Sequence, residues 1–151
     1  MQALRQEFQE HGLDRLRPMA EHLKFIDERG APLGLTRLFG RAAPGARVPE
    51  ATPGYSGKHY PRVAALGLSE VSATSVLEGG MTGEACDAYV EHVLAPTRRP
   101  GDVVLIDNLN VHKRERAQRL IAARGAVLEY LPPYSPDLNP IEPCWAKVKA
   151  I

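Results

Sequence analysis

A chain of 151 residues with 44% hydrophobic and 25% charged residues has the make-up of one ordinary globular domain, large enough to bury about two thirds of its unfolded surface. Two cysteines far apart in sequence, Cys86 and Cys144, with no CxxC pair, argue against a disulfide scaffold or a cysteine-rich zinc site and suit a reducing cytoplasm. The net charge of +1 names no partner, no signal peptide is recognisable, and no apolar run approaches the roughly 18–20 residues of a membrane span, so no membrane role is expected.

Residues 2–22 read as helical, with breaks expected at Gly12 and Pro18. Leu23–Asp27 reads as a strand, Arg29–Pro32 as the turn after it, and Leu35–Phe39 as a second strand. Seven glycines and prolines mark 40–58 as a loop. Arg62–Leu68 and Ala73–Leu77 then form a candidate hairpin. Thr82 can cap a helix running to Leu94, with Ala85, Tyr89, Val93 and Leu94 on its apolar face and Pro96 ending it. The apolar run Val103–Ile106 suits a strand buried on both faces. A helix over Lys113–Arg124 buries Ala117, Leu120 and Ile121 and is closed by Gly125. A short strand, Val127–Leu131, leads through turn-rich Pro132–Pro136 to a last helix from Pro140, carrying Ile141, Trp145 and Val148. Strands alternating with helices late in the chain imply parallel pairing, so an α/β fold with a mixed sheet and helices on both faces is expected.

Three carboxylates stand at the ends of these elements. Asp27 and Asp107 each close an apolar strand, and Glu142 lies in the first turn of the last helix. Strand ends are where α/β sheets bind ligands, and an Asp after a buried run is desolvated at a cost unless a cation or hydrogen bonds compensate it. Three carboxylates without a histidine cluster suit a hard cation, Mg²⁺ or Mn²⁺; two such ions could serve an attacking water and a leaving oxygen. Each residue also has a structural reading: Asp27 as the start of a turn, Asp107-Asn108 as an Asx-turn, and Asn139-Pro140-Ile141-Glu142 as a capping box. The residues alone leave that choice open.

The segments VVLIDNLNVHK and LEYLPPYSPDLNPIEPCWAKVKA, with 34 residues between Asp107 and Glu142, closely resemble the DDE transposases of the Tc/mariner superfamily, specifically the bacterial insertion-sequence branch. Upstream, LKFIDERG, RLFGRAAPGARV and GEACDAYVEHVLAPTRRPGD are similar to family segments, so the resemblance spans roughly 23–151. It implies an RNase H-like fold with Asp27, Asp107 and Glu142 as the catalytic, metal-holding triad. The activity implied is hydrolysis at transposon ends followed by strand transfer to target DNA, with DNA as partner, self-association in a synaptic complex, and a bacterial cytoplasm, at the nucleoid, as its place. Arg29 departs from the pattern, which commonly has a small polar residue there. Residues 1–22 are expected to be an N-terminal helical segment and 23–151 a C-terminally truncated catalytic domain, without the family's helix-turn-helix region. A catalytically incompetent fragment acting only as a DNA- or protein-binding module is the alternative.

Basic residues outside the triad are candidates for phosphate contact. His112, Lys113, Arg114 and Arg116 follow Asp107, and the three cations are expected to crowd a helix N-terminus, where the dipole disfavours them unless a phosphate is bound. Arg37 and Arg41 are further DNA-contact candidates. Trp145 reads as core, Tyr134 as a residue shaping the loop before Glu142, Asp137 as structural, and both cysteines as buried small apolar groups.

Overall fold

The computed structural model of the protein describes residues 2–30, 40–49 and 60–149, without the side chains of Val148 and Lys149. The expected strand Leu35–Phe39, the DNA-contact candidate Arg37 and residues 50–58 of the expected loop lie outside the described residues. Period-2 alternation and β-branched runs become five strands: β1 (Leu23–Arg29), β2 (Arg62–Leu66), β3 (Val71–Val76), β4 (Val103–Ile106) and β5 (Val127–Tyr130). They form one sheet in the order β3-β2-β1-β4-β5. Strands β1, β2 and β3 pair antiparallel, and β4 and β5 join them in parallel. Antiparallel neighbours need only short turns, whereas each parallel strand needs a helical crossover, and the chain supplies helices before and after β4.

The pleat sends alternate residues to opposite faces. Ile26, Val63, Ala65, Val104 and Ile106 face one layer of helices, packed against Cys86, Tyr89, Val90, Leu94, Ala117 and Ile121. Helices α1 (Gln2–Glu7) and α2 (Leu13–Leu16) belong to the N-terminal run, and that layer consists of α3 (Gly83–Tyr89), continued by a π-helical turn over Val90–Leu94, and α4 (Glu115–Ala122). Thr82 caps α3 as expected, its Oγ1 accepting from the Ala85 N–H at 3.1 Å. Fully buried positions fall on Cys86, Tyr89, Val90 and Leu94; Val93 packs on them half-buried, and Ala85 is half-buried.

The opposite face is covered by two elements. Leu16 of the N-terminal helical run packs on Val103, Leu105 and Leu131, with Phe8, Met19, Leu23 and Phe25 around it. The last helix, α5 (Ile141–Lys149), seats Ile141 and Trp145 on Ala64 and Leu66. Fully buried Val104 and Leu105 each contribute about 1.5–3 kcal/mol, so β4 is the best-buried part of the sheet.

The N-terminal run does not break at Gly12. It winds as a π turn over Phe8–Gly12, returns to α-helix at Leu13–Leu16, and tightens into a 3₁₀ turn at Arg17–His22, with a kink at Met19. Pro18 lacks the N–H that an α-helical interior would use, which accounts for the tightening there. Bidentate contacts from Arg5 to Asp137 and from Arg15 to Glu129 tie this run to the loop before α5 and to β5.

The β2–β3 hairpin has a bulge, with Ala73 at φ +49, and the Tyr89 hydroxyl donates to the Ala73 carbonyl at 2.8 Å. Gly125 closes the turn that follows α4 at φ +72, and a Cβ there would stand 3.2 Å from the Pro100 backbone, so a side chain is strained at this position.

Candidate active site

β1 and β4 run parallel with Phe25 opposite Leu105. Carried two residues further, that register sets Asp27 level with Asp107 on one face of the sheet. Asp27 is not at a strand tip as expected: β1 continues to Arg29 because Asp27, Glu28 and Arg29 pair with Ala64, Val63 and Arg62 of β2. Asp27 therefore starts no turn; it stands inside a strand, beyond the end of its pairing with β4. Asp107 is the first residue after β4 and makes no Asx-turn, its Oδ1 meeting His112 Nδ1 instead.

Glu142 reaches the same place through α5. Asn139 is 4% exposed; its Oδ1 accepts from the Ile141 N–H and its Nδ2 donates to the Ile26 carbonyl, both at 3.3 Å. One amide thus caps the helix and fastens it beside Asp27. Half of the expected capping box forms, through Asn139. The Glu142 carboxylate points elsewhere, lining the cleft with Arg29 Nη1 at 3.5 Å. Asp27, Asp107 and Glu142 together line one cleft of about 520 Å³, along with Asn108, Lys113 and Tyr134.

The electrostatics are those of crowded acids. Burial, then the charge of Glu142, and to a smaller degree that of Asp107, push the Asp27 carboxyl up to about 6. Its Oδ2 is buried without a hydrogen-bond partner, as is Oδ1 of neighbouring Asn108. Trp145 lies close enough to Asp27 for its indole to favour the charged form, yet its N–H makes no hydrogen bond that satisfies the carboxylate. Orphaned acceptor oxygens in an acidic cleft suit a hard cation with oxygen ligands. Among the described residues, no three acidic, His or Cys side chains are yet gathered around one point. Two of the three carboxylates are held instead by side chains of the chain itself, Glu142 by the Arg29 guanidinium and Asp107 by the His112 imidazole.

The basic candidates separate clearly. α4 begins at Glu115, not Lys113, so the expected crowding of three cations in its first turn does not occur; Lys113 and Arg114 precede the helix and its first turn carries an acid. Arg114 donates through Nε and Nη2 to the buried Asp87 at 2.8 and 2.7 Å, and Arg116 pairs with Glu91 at 2.6 Å. His112 is 5% exposed, turned inward against Asp107. Lys113 is exposed and lines the cleft, and Arg41 is exposed.

Other residues met their readings in part. Trp145 is core at 8% exposure, and Asp137 is bound to Arg5. Cys86 is buried, its thiol pushed up to about 11 by that burial, while Cys144 is half-buried. Tyr134 packs on nothing that would shape its loop, since it is 85% exposed. Sequence reasoning missed Asn108, Asn139 and Arg29 as parts of the site. The departure at Arg29 was the available signal, a cation next to an acidic pair.

The family model of DDE superfamily endonucleases matches residues 22–151. No protein of curated function matches the chain in sequence. Among solved structures, the Mos1 strand transfer complex superposes with a TM-score of 0.76 at 19% identity, over 97% of this chain and 46% of that one. The Mos1 mariner paired end complex with Mn gives 0.74 at 19% identity, over 96% and 47%. The catalytic domain of Mos1 mariner transposase gives 0.66 at 16% identity, over 97% and 68%. At such identities the likeness is one of fold: the five-stranded mixed sheet flanked by helices is the RNase H-like arrangement that the resemblance implied. The chain spans about half the length of the first two of these structures.

Proposed function

The chain belongs to the DDE superfamily endonucleases, and on that premise we propose that it is the catalytic core of a DNA transposase of the bacterial insertion-sequence branch, acting in the cytoplasm on transposon ends and target DNA. Within it, 23–151 is the catalytic domain and 1–22 a helical segment that braces it. The observation that carries this reading is the convergence of Asp27, Asp107 and Glu142, from three separate elements, on one acidic cleft where Asp27 is pushed up to about 6 by burial and by its neighbours' charges. A purely structural acid would be paired; Asp27 Oδ2 is left without a partner.

Asp27, Asp107 and Glu142 would hold Mg²⁺ or Mn²⁺, two ions in the fully loaded site, and the matched paired end complex of Mos1 contains Mn. When bound, the metal supplies an activated water or hydroxyl and a counter-charge for the leaving oxygen. The protein's own part is positioning. Rigid β1 and β4 fix Asp27 and Asp107, and the Asn139 cap fixes the first turn of α5. His112 orients Asp107 through its Nδ1–H, a contact that also turns its ring away from solvent. Lys113 at the cleft wall is positioned to take a DNA phosphate, and Arg41 is a further candidate. Arg114 and Arg116, already paired with acids, would contact phosphate only by exchanging those partners. Self-association in a synaptic complex belongs to the same reading.

The test is nicking of supercoiled plasmid by the purified chain in Mg²⁺ or Mn²⁺. Asp107→Asn and Glu142→Gln should each lower the rate about 10²–10³-fold or more, with unchanged circular dichroism. Undiminished nicking by Asp107→Asn would reject the assignment. A wild-type chain that binds DNA yet never nicks it would favour a binding module.

A further inference from the structure

Resting on the DNA reading above, we propose that Tyr134 is a stacking platform for a DNA base unpaired beside the scissile phosphate. Tyr134 lies in the segment between β5 and α5, on the rim of the cleft that holds Asp107 and Glu142. Its backbone adopts φ +55, the left-handed region that bulky L residues avoid. A conformation of that kind persists only when its surroundings impose it, and here they do. Leu131 and Ser135 on either side are 2% and 5% exposed, the Ser135 hydroxyl donates to the Pro133 carbonyl at 3.3 Å, and Asp137 is clamped by Arg5. The tip alone is left out of the packing. Its ring, 85% exposed, is the most exposed large hydrophobic group of the described residues.

Structural work for that ring is therefore excluded by its own exposure, while glycine or asparagine would suit the backbone better. What the fixed loop does achieve is to hold a flat aromatic face at the mouth of an acidic, oxygen-lined cleft. Every nucleobase has a π-face, and stacking on an aromatic side chain is the usual way a protein holds one that has left its helix. Beyond the Pro132–Pro133 wall a second cleft of about 440 Å³, bordered by Leu4 and Phe8, gives further apolar surface next to the same loop. Lys113 supplies the cation for the adjoining phosphate.

The experiment uses a duplex with a short unpaired 3′ extension carrying 2-aminopurine at the junction, bound in Ca²⁺ so that affinity is read without cleavage. Binding to the wild-type chain should quench the fluorescence. Tyr134→Phe should retain quenching and affinity. Tyr134→Leu should lose the quenching and about 5- to 150-fold in affinity for this probe, the range expected for one stacked base, with a smaller loss on fully paired duplex. Tyr134→Gly, which relieves the backbone, should keep or raise the melting temperature and lose affinity as the Leu variant does. Wild-type affinity in the Leu and Gly variants, alongside intact plasmid nicking, would overturn the role of Tyr134 and leave the DNA reading standing. Absence of DNA binding and nicking by the wild-type chain would overturn both.

Discussion

Replacing Asp27 by Asn should stabilise the metal-free protein at neutral pH. The carboxyl rises from an ordinary 3.8 to about 6 on folding, through burial first and then the charge of Glu142. Between those two values the folded chain binds a proton that the unfolded chain has released, so stability falls as pH rises through the interval. Asp27 contributes no penalty below about pH 4 and its full penalty above about pH 7. At about 1.36 kcal/mol per pH unit the gap amounts to about 3 kcal/mol, and because the carboxyl is only partly buried, solvent screening lowers the expected effect to about 1–2 kcal/mol. Asn has nearly the shape of a neutral Asp and carries no charge. Urea unfolding of both proteins should then coincide near pH 4 and separate in favour of Asp27→Asn above pH 7. Saturating Mg²⁺ should reverse the order, since a ligand that binds only the folded wild-type site adds about 2.7 kcal/mol at a hundred times its Kd. A variant less stable than wild type at neutral pH without metal, or a difference that ignores pH, would refute the picture of Asp27 as a crowded acid whose Oδ2 has no hydrogen-bond partner.

Arg29→Gln removes the cation that holds Glu142 at 3.5 Å. Both side chains are more than a third exposed, so stability should change by less than about 1 kcal/mol, while Mn²⁺ affinity measured calorimetrically should rise about fivefold as competition for Glu142 disappears. Weaker Mn²⁺ binding would show that Arg29 supports the site rather than competing for it. Gly125→Ala places a Cβ 3.2 Å from the Pro100 backbone at φ +72 and should cost about 1–2 kcal/mol in urea unfolding; a neutral result would mean that the turn relaxes freely.

Much of the fold was legible because hydrophobic periodicity is a local property. The run Val103–Ile106 reads as a doubly covered strand, and Thr82 and Gly125 read as helix boundaries, without knowledge of any other segment. Boundaries failed where a neighbour overrode the local pattern. β1 runs past Asp27 because β2 offers it a partner, and α4 starts two residues late because the chain first takes a 3₁₀ turn at Asn110–His112 that turns the imidazole inward to Asp107. The pairing of the basic cluster was hidden for a related reason: charge in a sequence carries no record of its counter-ions, and Arg114 and Arg116 find theirs on the helical run of residues 83–94, more than twenty positions upstream.

From the amino-acid string alone, then, came the identity of three candidate acids, the α/β alternation and the likeness to one family. Only the folded chain decided that these acids line one cleft, that Asp27 is the crowded member, that Arg29 and His112 engage the other two acids, and that Asn139 fixes the start of α5. The division has a physical cause. Secondary structure follows from interactions between near neighbours in sequence, whereas charge coupling and burial depend on distances in space that the register of β1 against β2 and β4, and the seating of α5 on Ala64, alone determine.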